Sequence, residues 1–367
     1  MPTIRVKNVS KKFGKVSAID NLSLVVNEGE YLCVLGPTGA GKTTLLKLLA
    51  GVLKPSEGTI SFDNKTMNNV PPEDRNAALV YQSFALFPHL TVLGNVLFGP
   101  ESKGMEHQEA FKIAMDTLDM VKLARRAKSY PAELSGGMQQ RVALARSLAS
   151  GAKVLLMDEP LGALDARLRM EIRYVLKSLV KDLHLTAVHV THDQDEAVTI
   201  ADRIALLREG RIEQVDTPLD FYNHPKTIFA ANFLGGANLL EGVIKRVSAQ
   251  GSLVDLGHEN ELHVSCHDYP KSRLIVLCTR LEKTKLRREP FKVNNLEGEV
   301  QTTTFLGEFR KYDVKLDRLG ETVSSRIPSK STEQFNVGDK VYVHFDAEDC
   351  VVFPSPRHGL YKEIEVI

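Results

Sequence analysis

The stretch from Tyr31 to Leu49 constrains this chain more than any other: a short apolar run, a loop crowded with glycine, then leucines at helical spacing. The loop, Gly36-Pro37-Thr38-Gly39-Ala40-Gly41-Lys42-Thr43, fits the pattern G-x-x-x-x-G-K-[ST] and lies between a predicted strand, Tyr31 to Leu35, and a predicted helix that starts at Lys42. A strand, a glycine loop and a helix in that order make a cradle for phosphate. Glycines let successive backbone N–H groups curl around an anion, Lys42 brings a point charge to the outer phosphates, and the Thr43 hydroxyl can ligate Mg²⁺. From average residue usage, a chance match in a chain of this length has odds on the order of one in a hundred, before the flanking elements are required. The fold class expected from this stretch is α/β.

The chain has 367 residues, enough for two or three compact units. Hydrophobic residues make up 43% and charged residues 25%, the values of a soluble globular protein. Its 47 basic and 46 acidic side chains leave a formal charge of +1, so no global field draws it to nucleic acid or to an anionic membrane. The four cysteines, Cys33, Cys266, Cys278 and Cys350, match neither a disulfide framework nor a zinc site and read as reduced structural thiols in a cytosolic protein. Met1-Pro2-Thr3-Ile4-Arg5 has no apolar h-region, so the expectation is a protein that is not exported. The richest apolar stretch, Tyr31 to Leu53, is broken by Pro37, Lys42, Lys47 and four glycines before Val52, which rules it out as a membrane span. Any crossing of a membrane would fall to other chains.

Periodicity places further strands at 4–8, 21–27 and 77–81, a largely helical insert from about Thr91 to Ala149, and two apolar runs, Val154 to Met157 and Thr186 to Val190, that read as buried parallel strands. After Gly235-Gly236 the texture changes to short alternating strands at 241–247, 296–301, 312–316 and 341–345. Two domains are therefore expected: an α/β nucleotide-binding domain over 1–235, and a small all-β domain over 236–367, with a Greek-key barrel as the expected form.

Two more segments carry chemistry. The run Val154-Leu155-Leu156-Met157-Asp158-Glu159 delivers adjacent carboxylates to the C-terminal end of a strand, where α/β sheets place their ligands. Side chains alternate along a strand, so Asp158 is suited to the metal, and Glu159 is suited to polarise a water beside a γ-phosphate. Leu134-Ser135-Gly136-Gly137-Met138-Gln139-Gln140-Arg141 opens a helical run and forms a second anion-binding N-terminus. One nucleotide does not need two such cradles. The second would serve a nucleotide held by another copy, with two chains closing head-to-tail around two ATP molecules.

Taken in order, these motifs resemble those of the ABC ATPases. The resemblance implies a P-loop NTPase cassette with a helical subdomain, and it carries further roles to this sequence. Gln82 matches the Q-loop glutamine, which touches metal or water; Asp165 in Gly162-Ala163-Leu164-Asp165 matches the D-loop; His192 in Val190-Thr191-His192-Asp193 matches the switch histidine at the γ-phosphate. Phe13 stands where an aromatic ring meets adenine, and Thr44 follows Thr43 at the phosphates. The implied catalytic set is Glu159, His192 and Gln82. The implied metal set is Thr43, Gln82 and Asp158. Gly36 to Thr44, Ser135, Gly136, Gly137, Asp165 and Phe13 would hold ATP. His189 reads as a satisfied polar residue.

Phe84 to Val92 and Tyr222-Asn223-His224-Pro225 through Phe233-Leu234-Gly235 resemble the importers whose cassette carries a C-terminal OB-like (TOBE) module, the maltose, polyamine, ferric-ion and sulfate group. With the β-domain counted, the resemblance covers essentially the whole chain. It implies a homodimer at the cytoplasmic face of the membrane, integral-membrane permease subunits above it, and an extracytoplasmic solute-binding protein beyond. Exposed apolar residues such as Phe87 and Leu90 would help line the permease groove. The cargo stays open among polyamine, ferric ion, oxyanion and sugar. Three departures stand out: Gly94 where Glu is frequent, Met138 for Gln in the signature, and Cys278-Thr279-Arg280-Leu281-Glu282 without the Gly and Pro of a Gly-x-Arg-Pro-Glu turn. Two other readings compete. A nucleic-acid-linked ABC ATPase would need a long coiled coil between Lys42 and Ser135 and a basic stripe, and neither is present. A cytosolic regulatory ATPase whose OB-like domain binds RNA would need paired aromatics for base stacking, which the strands lack.

Overall fold

The computed structural model describes residues 2–81, 85–162 and 166–365. They divide into two compact units, one ending at Phe221 and one beginning at Tyr222. The division falls before the Gly235-Gly236 pair at which the composition changes.

The N-terminal unit has two sheets. The first is antiparallel and contains β1 (Ile4–Phe13), β2 (Val16–Val26), β4 (Glu57–Phe62) and β5 (Lys65–Thr66), in the order β2-β1-β4-β5. The second runs β10-β9-β3-β8-β7-β6, with β3 (Tyr31–Leu35), β6 (Ala77–Val80), β7 (Val154–Asp158), β8 (Thr186–Thr191), β9 (Arg203–Arg208) and β10 (Arg211–Asp216). All neighbours in it are parallel except the β9–β10 hairpin. β3 and β8 are buried at every position, as strands covered on both faces must be.

Helix α1 (Lys42–Ala50) explains that pattern. Its leucines 45, 46, 48 and 49 share one core with β1, β2 and β4 of the antiparallel sheet and with β3, β7 and β8 of the parallel one. It is apolar over most of its circumference because the core surrounds it. Its end is closed by Gly51 in the left-handed conformation (φ 82°) and by buried Arg75, whose Nη1 donates to Leu48 O and Leu49 O at 2.8 Å. Helices α2 (Val92–Ser102), α3 (His107–Met120) and α4 (Gly136–Ala149) form the helical insert, and α5 (Ala166–Asp182) and α6 (Gln194–Ile200) flank β8.

The C-terminal unit is all-β apart from short helices. β11 (Asn238–Ser248), β12 (Gly251–Gly257), β13 (Asn260–Val264), β14 (Leu274–Thr279) and β20 (Val351–Pro354) form one five-stranded sheet. β15 (Thr284–Arg287), β16 (Asn295–Phe305), β17 (Phe309–Leu316), β18 (Thr322–Pro328) and β19 (Lys340–Phe345) form the other. Their inner faces meet in a single core, Ile244, Val254 and Leu277 from one sheet and Val300, Val314 and Val343 from the other. This is the near-barrel, OB-like architecture expected from the alternating strands. The four cysteines are unpaired. Among the described residues no helix is long and apolar enough to cross a membrane.

Candidate nucleotide site

The site lies at the C-terminal edge of the parallel sheet in the N-terminal unit, where β3 gives way to the glycine loop, β7 ends in Asp158 and β8 ends in Thr191. β3 runs directly into the loop 36–41. Gly41 caps α1 at φ 102° with no side-chain hydrogen bond to the helix, so its first N–H groups face the loop's concavity. A Cβ at Gly41 would lie 2.4 Å from Ala18 O, and one at Gly36 would lie 2.2 Å from Leu207 O. The loop is thus wedged between neighbouring backbones, and only glycine fits at these two positions.

Lys42 is buried, with Nζ donating to Gly36 O and Pro37 O at 2.8 Å. Burial lowers its pKa, and the nearby carboxylates of Glu159 and Asp158 work against that shift. Thr43 Oγ1, one residue on, donates to Asp158 Oδ1 at 3.1 Å. Burial raises the Asp158 pKa. Thr43 opposes this shift, the Glu159 charge adds to it, and Lys47 and Lys42 oppose it. A hydroxyl and a partly desolvated carboxylate side by side are hard oxygen donors of the kind Mg²⁺ takes, so these residues fit the ion.

Glu159 follows β7 in a left-handed conformation (φ 45°), and its N–H donates to Val190 O at 2.9 Å. The turn brings its carboxylate to the end of β8, where Oε1 lies 3.0 Å from His192 Nδ1. His192 is exposed and Glu159 half-buried. The structure brings Gly36 to Thr44, Asp158, Glu159 and His192 together at one edge. Phe13, at the end of β1, is 47% exposed, with Lys11 Nζ 5.2 Å from its ring centre. Its open face is free to stack.

Ser135 caps α4 by accepting from Met138 N at 3.4 Å, and Ser135 and Gly136 are both exposed. Its hydrogen bonds go to its own helix, so it is presented outward. Gln82 and Asp165 lie outside the described residues. His189 is fully buried, 2.9 Å from the Tyr31 hydroxyl through Nδ1, with Nε2 3.2 Å from Glu196 Oε1 but off the line of a good hydrogen bond.

Sequence reasoning missed the residues that hold the His192 loop. Asp193 caps α6 by accepting from Glu196 N at 2.9 Å and takes ion pairs from Arg169 at 3.0 Å and Arg173 at 3.1 Å. The available signal was the spacing of the two arginines, i and i+4 on α5, which puts both on one face.

Residues 19–162 match the ABC transporter family, and residues 277–353 match the TOBE domain. The spermidine/putrescine import ATP-binding protein PotA of Rubrobacter xylanophilus is 38% identical over 96% of this chain and 94% of its own length. The protein of that name from Pseudomonas aeruginosa is 39% identical over 95% and 99%. Among solved structures, the dimeric bacterial ABC transporter cassette MJ0796 is 37% identical, with a TM-score of 0.54, covering 59% of this chain and 98% of that one. The cassette MJ1267 in its ADP conformation is 26% identical, with a TM-score of 0.55, over 63% and 98%. With the glycine cradle, the carboxylate pair and the β-module in place, and with relatives alike from end to end, this chain belongs to the ABC transporter ATP-binding proteins that carry a C-terminal TOBE domain.

Proposed function

We propose that this chain is the ATPase subunit of an ABC importer whose cargo is a polyamine. The observation that carries the hydrolytic part is the gathering of Lys42, Thr43, Asp158, Glu159 and His192 at one sheet edge. The relatives' names support the cargo: proteins at 38% and 39% identity, matched over 94% and 99% of their own length, are spermidine/putrescine import ATP-binding proteins. Ferric ion, oxyanion and sugar remain as the other cargo classes that the sequence allowed.

The glycine loop and the N-terminus of α1 bind the phosphates of ATP through backbone N–H groups, and Lys42 brings its charge to the outer phosphate oxygens. Thr43 and Asp158 would hold Mg²⁺, with Gln82 as a third contact, and the ion would supply neutralisation of phosphate charge. Glu159 accepts a proton from the attacking water. His192, already within hydrogen-bond distance of that carboxylate, orients it and meets the γ-phosphate. Ser135, Gly136 and Gly137 would cover the nucleotide of a second copy, and Asp165 would lie at the same junction. The exposure of Ser135 supports that use, and the dimeric state of MJ0796 supports the pairing.

The permease face is supported by a groove of about 630 Å³ of mixed lining, with Leu79, Phe87 and Phe98 beside Glu73, Lys103 and Arg146. Phe87 and Leu90 are half-buried, where the sequence predicts them exposed, and the exposed aromatic surface comes from Tyr81 and Phe98. Through that groove the chain would sit beneath membrane subunits at the cytoplasmic face, served by a solute-binding protein on the far side.

Glu159→Gln tests the mechanism. Turnover should fall by about 10²–10⁴-fold, the worth of a general base, with MgATP binding intact. Near-normal hydrolysis by that variant removes Glu159 from the role. For the cargo, the permease-bound complex should show ATPase stimulated by polyamine-loaded binding protein, and stimulation only by another solute overturns that assignment.

A further inference from the structure

The switch histidine's loop is held on both sides by side chains that do not touch the nucleotide site. On the N-terminal side, Thr191 Oγ1 donates to Glu196 Oε2 at 2.5 Å and accepts from Asp193 N at 3.0 Å. Glu196 is buried in α6 beside His189, so this flank is tied to the interior. On the C-terminal side, Asp193 uses its two oxygens separately. Oδ1 takes the Glu196 N–H, and Oδ2 takes both guanidinium groups. Arg173 is 5% exposed, deep for a cation, and Arg169 lies one turn nearer the start of α5.

A buried arginine needs its carboxylate, and this one reaches across from a different element to the residue next to His192. A helix cap alone requires only Oδ1. The second oxygen, with two cations on it, locks the loop to the body of α5.

We infer that Asp193, Arg169 and Arg173 form a positioning device that fixes where His192 presents its ring to Glu159. The inference rests on the reading of Glu159 and His192 as hydrolytic groups. The three residues are positioning residues: they touch neither nucleotide nor reacting atoms, and they act through the backbone of residue 192. Burial works to raise the Asp193 pKa, but the Glu196 N–H, Arg173 and Arg169 outweigh it and hold the value below normal. The carboxylate thus stays charged across the working range.

The test compares steady-state ATP hydrolysis and MgATP binding of the full chain in Asp193→Asn, Arg173→Gln, Arg173→Lys, Arg169→Gln and the Asp193→Asn/Arg173→Gln pair. Asn keeps the capping oxygen and puts an NH2 group where Oδ2 accepts from the two guanidinium groups, so the charge and that acceptor are lost together while the cap stays. The expected result is a kcat loss of about 10- to 100-fold, the penalty of a catalytic group displaced by about an ångström. KM and nucleotide affinity should change by less than about threefold, and Lys at 173 should recover part of the rate. The paired variant should be no slower than the slower single one, because both break the same link. A kcat within about twofold of wild type overturns the inference, and so does a parallel fall of kcat, nucleotide affinity and melting temperature. Additive losses in the pair overturn it too. Should Arg173→Gln fail to fold, Arg169→Gln, on the more exposed residue, gives the same reading. Wild-type protein and Glu159→Gln run beside these variants. If wild type does not hydrolyse ATP, the functional reading itself fails; if it does and Glu159→Gln does not, a normal Asp193→Asn variant refutes the positioning device alone.

Discussion

Arg280 offers the sharpest test of how the C-terminal unit holds its leading segment. Its guanidinium makes five hydrogen bonds to four carbonyls: Tyr222 O through Nε at 3.2 Å and Nη2 at 2.6 Å, and Ala231 O, Leu234 O and Gly236 O through Nη1 at 2.5, 2.8 and 3.1 Å. It also lies 4.0 Å over the Tyr222 ring, whose hydroxyl donates to Glu282. Arg280→Ala would strip the carbonyls at the end of the helix Ile228–Phe233 of their donor. The two contacts made from the buried side of the guanidinium, to Ala231 and Leu234, decide the magnitude. Two orphaned buried acceptors at about 1.5 kcal/mol each, with about 1 kcal/mol for the lost cation–π contact, give a destabilisation of about 4 kcal/mol. For a domain of this size that is a fall of roughly 10 °C in melting temperature, measured by calorimetry as the transition of the C-terminal unit. Arg280→Lys should recover less than half, since one ammonium cannot span four acceptors. A shift below about 3 °C would mean that water replaces the guanidinium freely, and the role assigned to Arg280 would be wrong.

Asp158 gives a pH signature. Its pKa is raised by burial, so protons compete with the cation at higher pH than for an exposed carboxylate; Mg²⁺ half-saturation of hydrolysis should weaken as pH falls through that raised value, and Asp158→Asn should abolish the dependence. The sign for stability is the reverse of a salt-bridged Asp: the raised pKa favours the fold below the unfolded value, and that contribution is lost as pH rises through the folded one. Without ligand, Asp158→Asn should therefore melt higher than wild type at neutral pH, and a lower melting point would contradict the desolvation argument. Gly41→Ala places a Cβ 2.4 Å from Ala18 O at φ 102° and should abolish nucleotide retention, whereas Gly39→Ala, with φ 82° but open space around it, should weaken it only modestly; equal losses in a fluorescent-nucleotide assay would refute the steric reading. Asn95 is fully buried and ties down the loop 87–91 by accepting from Phe87 N and donating to Phe87 O, Leu90 O and Thr91 O. Asn95→Ala should speed amide exchange there and reduce permease-stimulated ATPase, leaving basal turnover unchanged.

The parts of the fold that were legible in the sequence are those whose burial is complete. β3, β7 and β8 read as apolar runs because both faces are covered, and α1 read as a helix because its leucines repeat at helical spacing. The antiparallel sheet was legible only in part: β1 pairs with β2 through register shifts at Val6, Val9 and Lys11, which break the alternation, and β4 opens with exposed Glu57, Gly58 and Thr59. Helices Pro218–Asn223 and Ile228–Phe233 are too short to show a period. The roles of Arg75 and Arg280 were invisible for a different reason. Their partners are backbone carbonyls, which carry no sequence signature, and for Arg280 they lie 44 to 58 residues away. The missing Gly and Pro of the 278–282 turn therefore matter less than the Arg and Glu that remain.

The site itself is where local rules are broken together. Lys42 and Asp158 are both held where burial disfavours their charges, and Glu159 adopts a left-handed backbone with a side chain that favours the right-handed one, a strain of about 1–2 kcal/mol. None of these choices helps the protein fold. The first two become favourable when a polyphosphate and a divalent cation arrive: the anion satisfies Lys42, and the cation satisfies Asp158. The left-handed turn at 159 aims the carboxylate at His192. The surrounding core of β3, β7, β8 and α1, with its strands buried almost throughout, supplies the rigidity that lets the strain persist. Relieving it should therefore stabilise the protein and slow it at once. Asp158→Asn is the direct case, and a variant that gained both stability and turnover would break the link between strain and function on which this reading depends.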